Sequence, residues 1–258
     1  MQATAMVNYH VTSDKQQAFH IDANGEKGKI VSPELAPTQV KVKDVRDGNI
    51  QLNFWEDSLL YVQSPSVIKD FTQSQDWRET YNAELSRLLV EQLGAKEVII
   101  FDHTIRIDDP NSDRKPARNV HSDYSACGAM KRLEDILGAE EAKKWQDQHF
   151  AFVNLWRHIQ APIVSAPLGF IRPKSVSEKD WLLLQLIYPD RIGQIMGLTV
   201  NDAHEWIYLS NMTPDDIAIF NIFDSKALPS IGHSALDVMG QNNQAFRRSI
   251  ESRTLVRY

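Results

Sequence analysis

The chain has 258 residues, 42% of them apolar and 24% charged, with eleven Gly and eleven Pro. This is the composition of a folded globular protein and excludes collagen-like and low-complexity classes. A net charge of −6 argues against nucleic-acid and anionic-membrane partners, and the single Cys127 excludes a disulfide framework and any cysteine-based zinc site.

In chain order, Val40–Val45 and Ile50–Phe54 read as short strands around Asp47-Gly48, a turn signal, and Leu59–Val62 as a third run stopped by Ser64-Pro65. Trp77–Leu93 predicts an amphipathic helix. Tyr81, Leu85, Leu88 and Leu89 recur at helical spacing, and Gly94 stands where a helix stops. Glu97–Asp102 predicts a buried strand, and Asp108–Lys115, with Pro110, an exposed loop. Met130–Gln148 predicts a helix broken near Gly138, with Glu140–Lys144 on a solvated face. Strands follow at Phe150–Trp156, Val164–Ile171, Trp206–Leu209, Ile217–Phe223 and Ile250–Tyr258, and Thr213-Pro214-Asp215-Asp216 predicts a short helical turn. Clustered short strands in the last 110 or so residues suggest a β sandwich or barrel with helices packed outside it. No linker composition or repeat divides the chain, so residues 1–258 read as one domain. Met1–Asn8 carries no basic cluster followed by an apolar core, and the longest apolar run, near Trp181–Tyr188, is far short of a span of about 20 residues. The expectation is a cytoplasmic protein.

Two His-x-Asp pairs occur, His20/Asp22 and His121/Asp123, where chance supplies about one, so the motif alone says little. Placement says more. His121/Asp123 directly precedes the strand-rich half, His233 opens an apolar stretch after Pro229 and Gly232, and Arg247-x-Ser249 lies on the final strand-like run. Two imidazoles and a carboxylate on one face of an ion match the ligand set of non-haem Fe(II) oxygenases. Residues i and i+2 of a strand share a face, so a guanidinium and hydroxyl at 247 and 249 can hold the far carboxylate of an oxo-acid. The bland alternatives are hydrogen-bonded core residues for the triad and a solvated pair for Arg247/Ser249. His103, His149, His158 and His204 read as structural, and Cys127 as a small buried residue.

Ordered blocks run through most of the chain, roughly Asp44 to Tyr258: Phe101-Asp102-His103-Thr104-Ile105-Arg106, Val120-His121-Ser122-Asp123-Tyr124-Ser125, Val153-Asn154-Leu155-Trp156-Arg157, Asn211-Met212-Thr213-Pro214-Asp215, Phe223-Asp224-Ser225-Lys226, His233-Ser234-Ala235 and Arg247-Arg248-Ser249-Ile250-Glu251. They resemble the fungal and bacterial hydroxylase/desaturase family that includes cephalosporin-methoxylase-related proteins, within the Fe(II)/2-oxoglutarate dioxygenases. Departures stand at Ile107, His158, Arg172 and Asn221.

The resemblance implies a mainly β fold with flanking helices, a double-stranded β-helix (jelly roll, cupin-like), with residues 1–119 wrapping a core at 120–258. It implies Fe(II) held by His121, Asp123 and His233, 2-oxoglutarate held by Arg247 and Ser249, and O2 as co-substrate. It further implies oxidation of a small, amino-acid-derived metabolite in natural-product biosynthesis: hydroxylation, desaturation or ring closure such as aziridine formation. Retention of Asp123 argues against halogenation. Tyr208 is a candidate donor to the oxo-acid, and Arg106, Asn154, Trp156 and Arg157 are candidate substrate contacts. The partner is a small molecule, and a homodimer stays open. Two alternatives are an oxidase with the same triad that uses no oxo-acid, and a small-acid-binding β-barrel without turnover.

Overall fold

Phe150–His158 sets the architecture. Phe150, Phe152 and Trp156 point into the space between two sheets, while Ala151, Val153 and Leu155 point out beneath a helix. A strand buried on both faces must be central, and Phe150–His158 lies between Asp216–Asp224 and Arg248–Arg257. A computed structural model describes residues 2–71, 76–159, 165–240 and 246–258.

Among these residues the smaller sheet has five strands, in the order Leu59–Gln63, Asp216–Asp224, Phe150–His158, Arg248–Arg257, Glu97–Ile107, all antiparallel. The larger sheet has eleven, in the order Asp237–Val238, Gln2–His10, Leu35–Asp44, Trp206–Tyr208, Leu168–Ile171, Gly232–Ala235, His121–Ser122, Ile192–Leu198, Trp181–Ile187, Gln17–Ile21, Ile30–Val31. The two face each other across Phe152, Trp156, Phe170, Ile207, Phe220 and Leu255, the double-stranded β-helix expected from the resemblance. The first 119 residues do more than wrap this core, because Gln2–His10, Leu35–Asp44, Leu59–Gln63 and Glu97–Ile107 are strands of it.

The helix Trp77–Leu93 has its expected bounds. Gly94 takes a left-handed conformation (φ 68°) and its N–H closes the last turn. Leu85, Leu88 and Leu89 pack on Val153, Leu155, Ile219 and Ile250, the outer face of the smaller sheet. Leu85 is fully buried, so Leu85→Ala is expected to cost about 2–5 kcal/mol, read by urea denaturation. Gly138 (φ 77°) divides the next helical stretch into Ala126–Leu137 and Ala139–Gln146, whose Ala129, Leu133, Ala142 and Trp145 join the inter-sheet cluster.

Three local expectations change. Ile50–Phe54 forms no strand: the Asn53 side chain accepts from Trp55 N at 3.0 Å and starts a short helix, Phe54–Asp57. Thr213–Asp216 is a turn and not a helical one, with Asp216 Oδ2 accepting from Thr213 N at 2.8 Å. The expected strand from Val164 is described only over Leu168–Ile171, Val164 itself lying outside the described residues. No described helix is long and apolar enough to cross a membrane.

Candidate active site

His121 sits on the short strand His121–Ser122, directly opposite His233 on Gly232–Ala235, with ring centroids 4.5 Å apart. Gly197 faces His121 across the other side of that strand. An added Cβ there would lie 2.5 Å from His10 Cδ2 and 2.6 Å from Leu184 Cδ1, so a larger residue would displace these buried side chains. Asp123 follows the strand, just before Ser125 caps the helix Ala126–Leu137 by accepting from Gly128 N at 2.9 Å. The ring of His233 packs against Phe220 and Phe170, with centroids 5.1 and 6.2 Å away.

Hydrogen bonding fixes which ring nitrogens are available. His121 Nδ1 lies 2.8 Å from Asn119 O and His233 Nδ1 lies 3.3 Å from Ile231 O. A carbonyl only accepts, so both Nδ1 atoms donate, and in its neutral form each ring keeps a lone pair free on Nε2. Those lone pairs meet Asp123 Oδ1 at 3.4 Å from His121 and 3.8 Å from His233. All three ligand atoms lie within 4.8 Å of one another. Burial and then the neighbouring His121 push the His233 imidazole down to about 3, so it is neutral at physiological pH. Burial alone would raise the Asp123 carboxyl, but the guanidinium of Arg253 beside it holds it well below the ordinary carboxylate range. Three electron-pair donors converging on one point fit a cation, and two nitrogens with one oxygen suit a borderline transition metal such as Fe(II).

The cleft above the triad is lined by Arg106, Trp156, Leu168, Arg247, Glu251 and Arg253, among others. Arg247 is buried, and its Nε donates to Ser249 Oγ at 3.2 Å. A further guanidinium N–H donates to Ala166 O, the backbone N–H donates to Ser165 Oγ at 3.0 Å, and the guanidinium lies 5.1 Å from the Trp156 ring centroid. Burial, and then the like charge of Arg106, lower the Arg247 guanidinium to about 9.

The sequence candidates therefore divide. His121, Asp123 and His233 come together, Arg247 pairs with Ser249, and Arg106 and Trp156 reach the same cleft. Asn154 faces the same interior but donates to Asp123 Oδ2 at 2.9 Å. Arg157 is corrected: one residue on from Trp156, it points to the opposite face, where its guanidinium lies over the Tyr81 ring and donates to Pro214 O at 3.3 Å. Tyr208 is corrected for the same reason. Ile207 turns to the inter-sheet cluster, and Tyr208 packs with Val42, Trp206 and Leu236 on the other face. Cys127 is exposed, not buried. The departures at Arg172 and Asn221 make structural contacts, with Arg172 donating to Asp57 at 2.6 Å and Asn221 to Leu228 O and Pro229 O at 3.1 and 3.0 Å.

Sequence reasoning missed Glu251 and Arg253. Arg253 donates to Asp123 Oδ2 at 3.1 Å, to Asp102 Oδ2 at 2.7 Å and to Thr104 Oγ1 at 3.0 Å, and it also pairs with Glu251. The signal was present: Arg247, just ahead of the strand, and Ser249, Glu251 and Arg253 on it stand at alternate positions, a polar stripe facing a core.

Comparison with known proteins adds the lineage. Residues 7–257 match the family model described as Oxidoreductase/YMDC permease-like domain. The chain is 25% identical over 252 residues, covering 91% of it and 89% of the relative, to "Alpha-ketoglutarate-dependent dioxygenase phiK" of a fungal species. It is 26% identical over 290 residues, covering 98% and 97%, to "Hydroxylase/desaturase efuI" of Hormonema carpetanum. Its fold is that of "iron and alpha-ketoglutarate-dependent endoperoxidase NvfI", with a TM-score of 0.86 at 19% identity over 99% of this chain and 98% of that one. The chain thus belongs to an enzyme family, the Oxidoreductase/YMDC permease-like domain family, alongside Fe(II)/2-oxoglutarate-dependent dioxygenases and fungal hydroxylase/desaturases.

Proposed function

We propose that this chain is an Fe(II)- and 2-oxoglutarate-dependent oxidase of a small organic metabolite, and that it works by hydroxylation, desaturation or oxidative ring closure. The observation that carries the reading is the convergence of His121 Nε2, His233 Nε2 and Asp123 Oδ1 within 4.8 Å of one another, while both Nδ1 atoms are engaged by backbone carbonyls. Such an arrangement is electrostatically unfavourable until a cation fills it. His121, Asp123 and His233 would hold the iron. When bound with 2-oxoglutarate and dioxygen, the iron supplies an oxidant strong enough to take hydrogen from an unactivated C–H bond, leaving succinate and carbon dioxide.

The other residues bind and orient. Arg247 presents a guanidinium fork and Ser249 a hydroxyl for the far carboxylate of the oxo-acid, in a site dry enough to strengthen that pairing. Trp156 and Leu168 give the cleft apolar walls that exclude water. Arg106, which donates to Lys115 O at 2.9 Å and reaches the cleft, is the group in place to meet an acidic or carbonyl function of the substrate.

Anaerobic addition of Fe(II) and then 2-oxoglutarate should produce a visible charge-transfer absorption, and admission of air should give succinate in proportion to iron. Absence of the band together with iron-independent succinate would overturn the reading.

A further inference from the structure

Asp123 has two oxygens, and the protein treats them differently. Oδ1 faces the Nε2 atoms of His121 and His233. Oδ2 is turned away and accepts from Asn154 Nδ2 at 2.9 Å and from Arg253 Nε at 3.1 Å. The two donors come from adjacent strands, Asn154 standing directly opposite Arg253 in the register. Arg253 is itself fixed by Asp102, Thr104 and Glu251, so its Nε has little freedom to leave Oδ2. We propose that Asn154 and Arg253 are positioning residues which hold Asp123 to a single ligand oxygen and so keep one coordination position of the iron open for dioxygen. This rests on the iron and oxo-acid reading above.

The reason is a count of positions. An octahedral ion offers six. Three single-atom protein ligands and a chelating oxo-acid occupy five, leaving one. A carboxylate that swung to bind through both oxygens would fill the last. A carboxylate oxygen already engaged by a charged and a neutral donor loses both hydrogen bonds if it turns to the metal, and that cost opposes the second bond. The same clamp explains why a polar Asn154 stands on the inward face of its strand, where Phe150, Phe152 and Trp156 are aromatic. Asn154, a substrate candidate by sequence, acts here through Asp123.

The test compares the parent with Asn154→Leu, Arg253→Lys and the double variant, each loaded with Fe(II) and 2-oxoglutarate without air. Nitric oxide, a stable surrogate for dioxygen, is then added, and its electron paramagnetic resonance signal is read per bound iron. Each single variant keeps one donor on Oδ2 and should stay near the parent. The double variant should lose about tenfold or more of the signal per iron, within the range for losing partners that orient a metal ligand. Unchanged uptake per iron in a folded, iron-loaded double variant would overturn the clamp. Should the double variant not fold, a crystal structure of the iron-loaded parent decides: one Asp123 oxygen on the metal supports the proposal, and two overturn it. A parent that binds no iron at the triad refutes the oxidase reading itself, and the two failures are thereby distinguished.

Discussion

Replacing His233 by Ala is expected to abolish tight iron binding and to lower iron-dependent succinate formation by more than about 100-fold, beyond the loss typical of outer partners of a ligand. His233 contributes one of three ligand atoms, and its Nδ1–H is already spent on Ile231 O, so nothing nearby substitutes for the Nε2 lone pair. Misfolding would produce the same loss and must be separated from it. A metal that binds only the native state stabilises it by about 2.7 kcal/mol at a hundred times its Kd. The parent should therefore melt at a higher temperature with Fe(II), or with Mn(II) as an air-stable stand-in, than without. His233→Ala should melt at one temperature in both cases. It should do so as a cooperative transition, because Phe170, Phe220 and the rest of the inter-sheet packing remain. A metal-dependent rise retained in His233→Ala would remove this residue from the ligand set. His20→Ala is the matching control. His20 lies on Gln17–Ile21, near the far edge of the larger sheet from Asp237–Val238, and its loss should leave iron binding and turnover unchanged.

What the sequence made legible follows from the range of the forces concerned. The helix Trp77–Leu93 was readable to its last residue because periodicity and the Gly94 stop are local. The triad and Arg247/Ser249 were expected from the resemblance carried by the ordered blocks, since the His-x-Asp pair is no rarer than chance and only the sheet register sets His233 opposite His121. Arg157 and Tyr208 were misplaced because both belong to strands buried on both faces, where no apolar–polar contrast marks which side is the interior. Alternation already forbids Trp156 and Arg157 from sharing a face, and the structure settles which one the cleft receives. Gln2–His10 passed unnoticed because two of its three core residues, Ala5 and Val7, are small, and Tyr9 alone is a large one. Arg253 lay beyond reach for another reason. Its acceptors Asp102 and Asp123, and Asn154, its fellow donor to Asp123, come from three distant stretches of chain, and only the register of the sheet brings them to one point.

Arg247→Leu should raise the concentration of 2-oxoglutarate needed for the charge-transfer band by a factor corresponding to about 2–5 kcal/mol, the loss on deleting one partner of a buried, hydrogen-bonded charge pair. That is from about 30-fold to several thousand-fold. Affinity for Fe(II) alone should barely move, because Arg247 holds none of the triad. Arg247→Lys should recover little, since an ammonium on a flexible stem cannot reproduce the fork that meets a carboxylate side-on. The telling measurement is stability without the oxo-acid. Among the described residues no carboxylate pairs with Arg247, and burial lowers its guanidinium to about 9, so in the free protein this cation is held at a cost that the Trp156 ring and the Ser249 and Ala166 oxygens only partly offset. Arg247→Leu should therefore leave the denaturation midpoint of the free protein within about 1 kcal/mol of the parent, while the stabilisation that 2-oxoglutarate adds to the iron-loaded parent disappears. A purely structural Arg247 predicts the reverse, a less stable free protein whose oxo-acid affinity is intact. The sign of these two changes thus separates a group kept for its ligand from one kept for the fold.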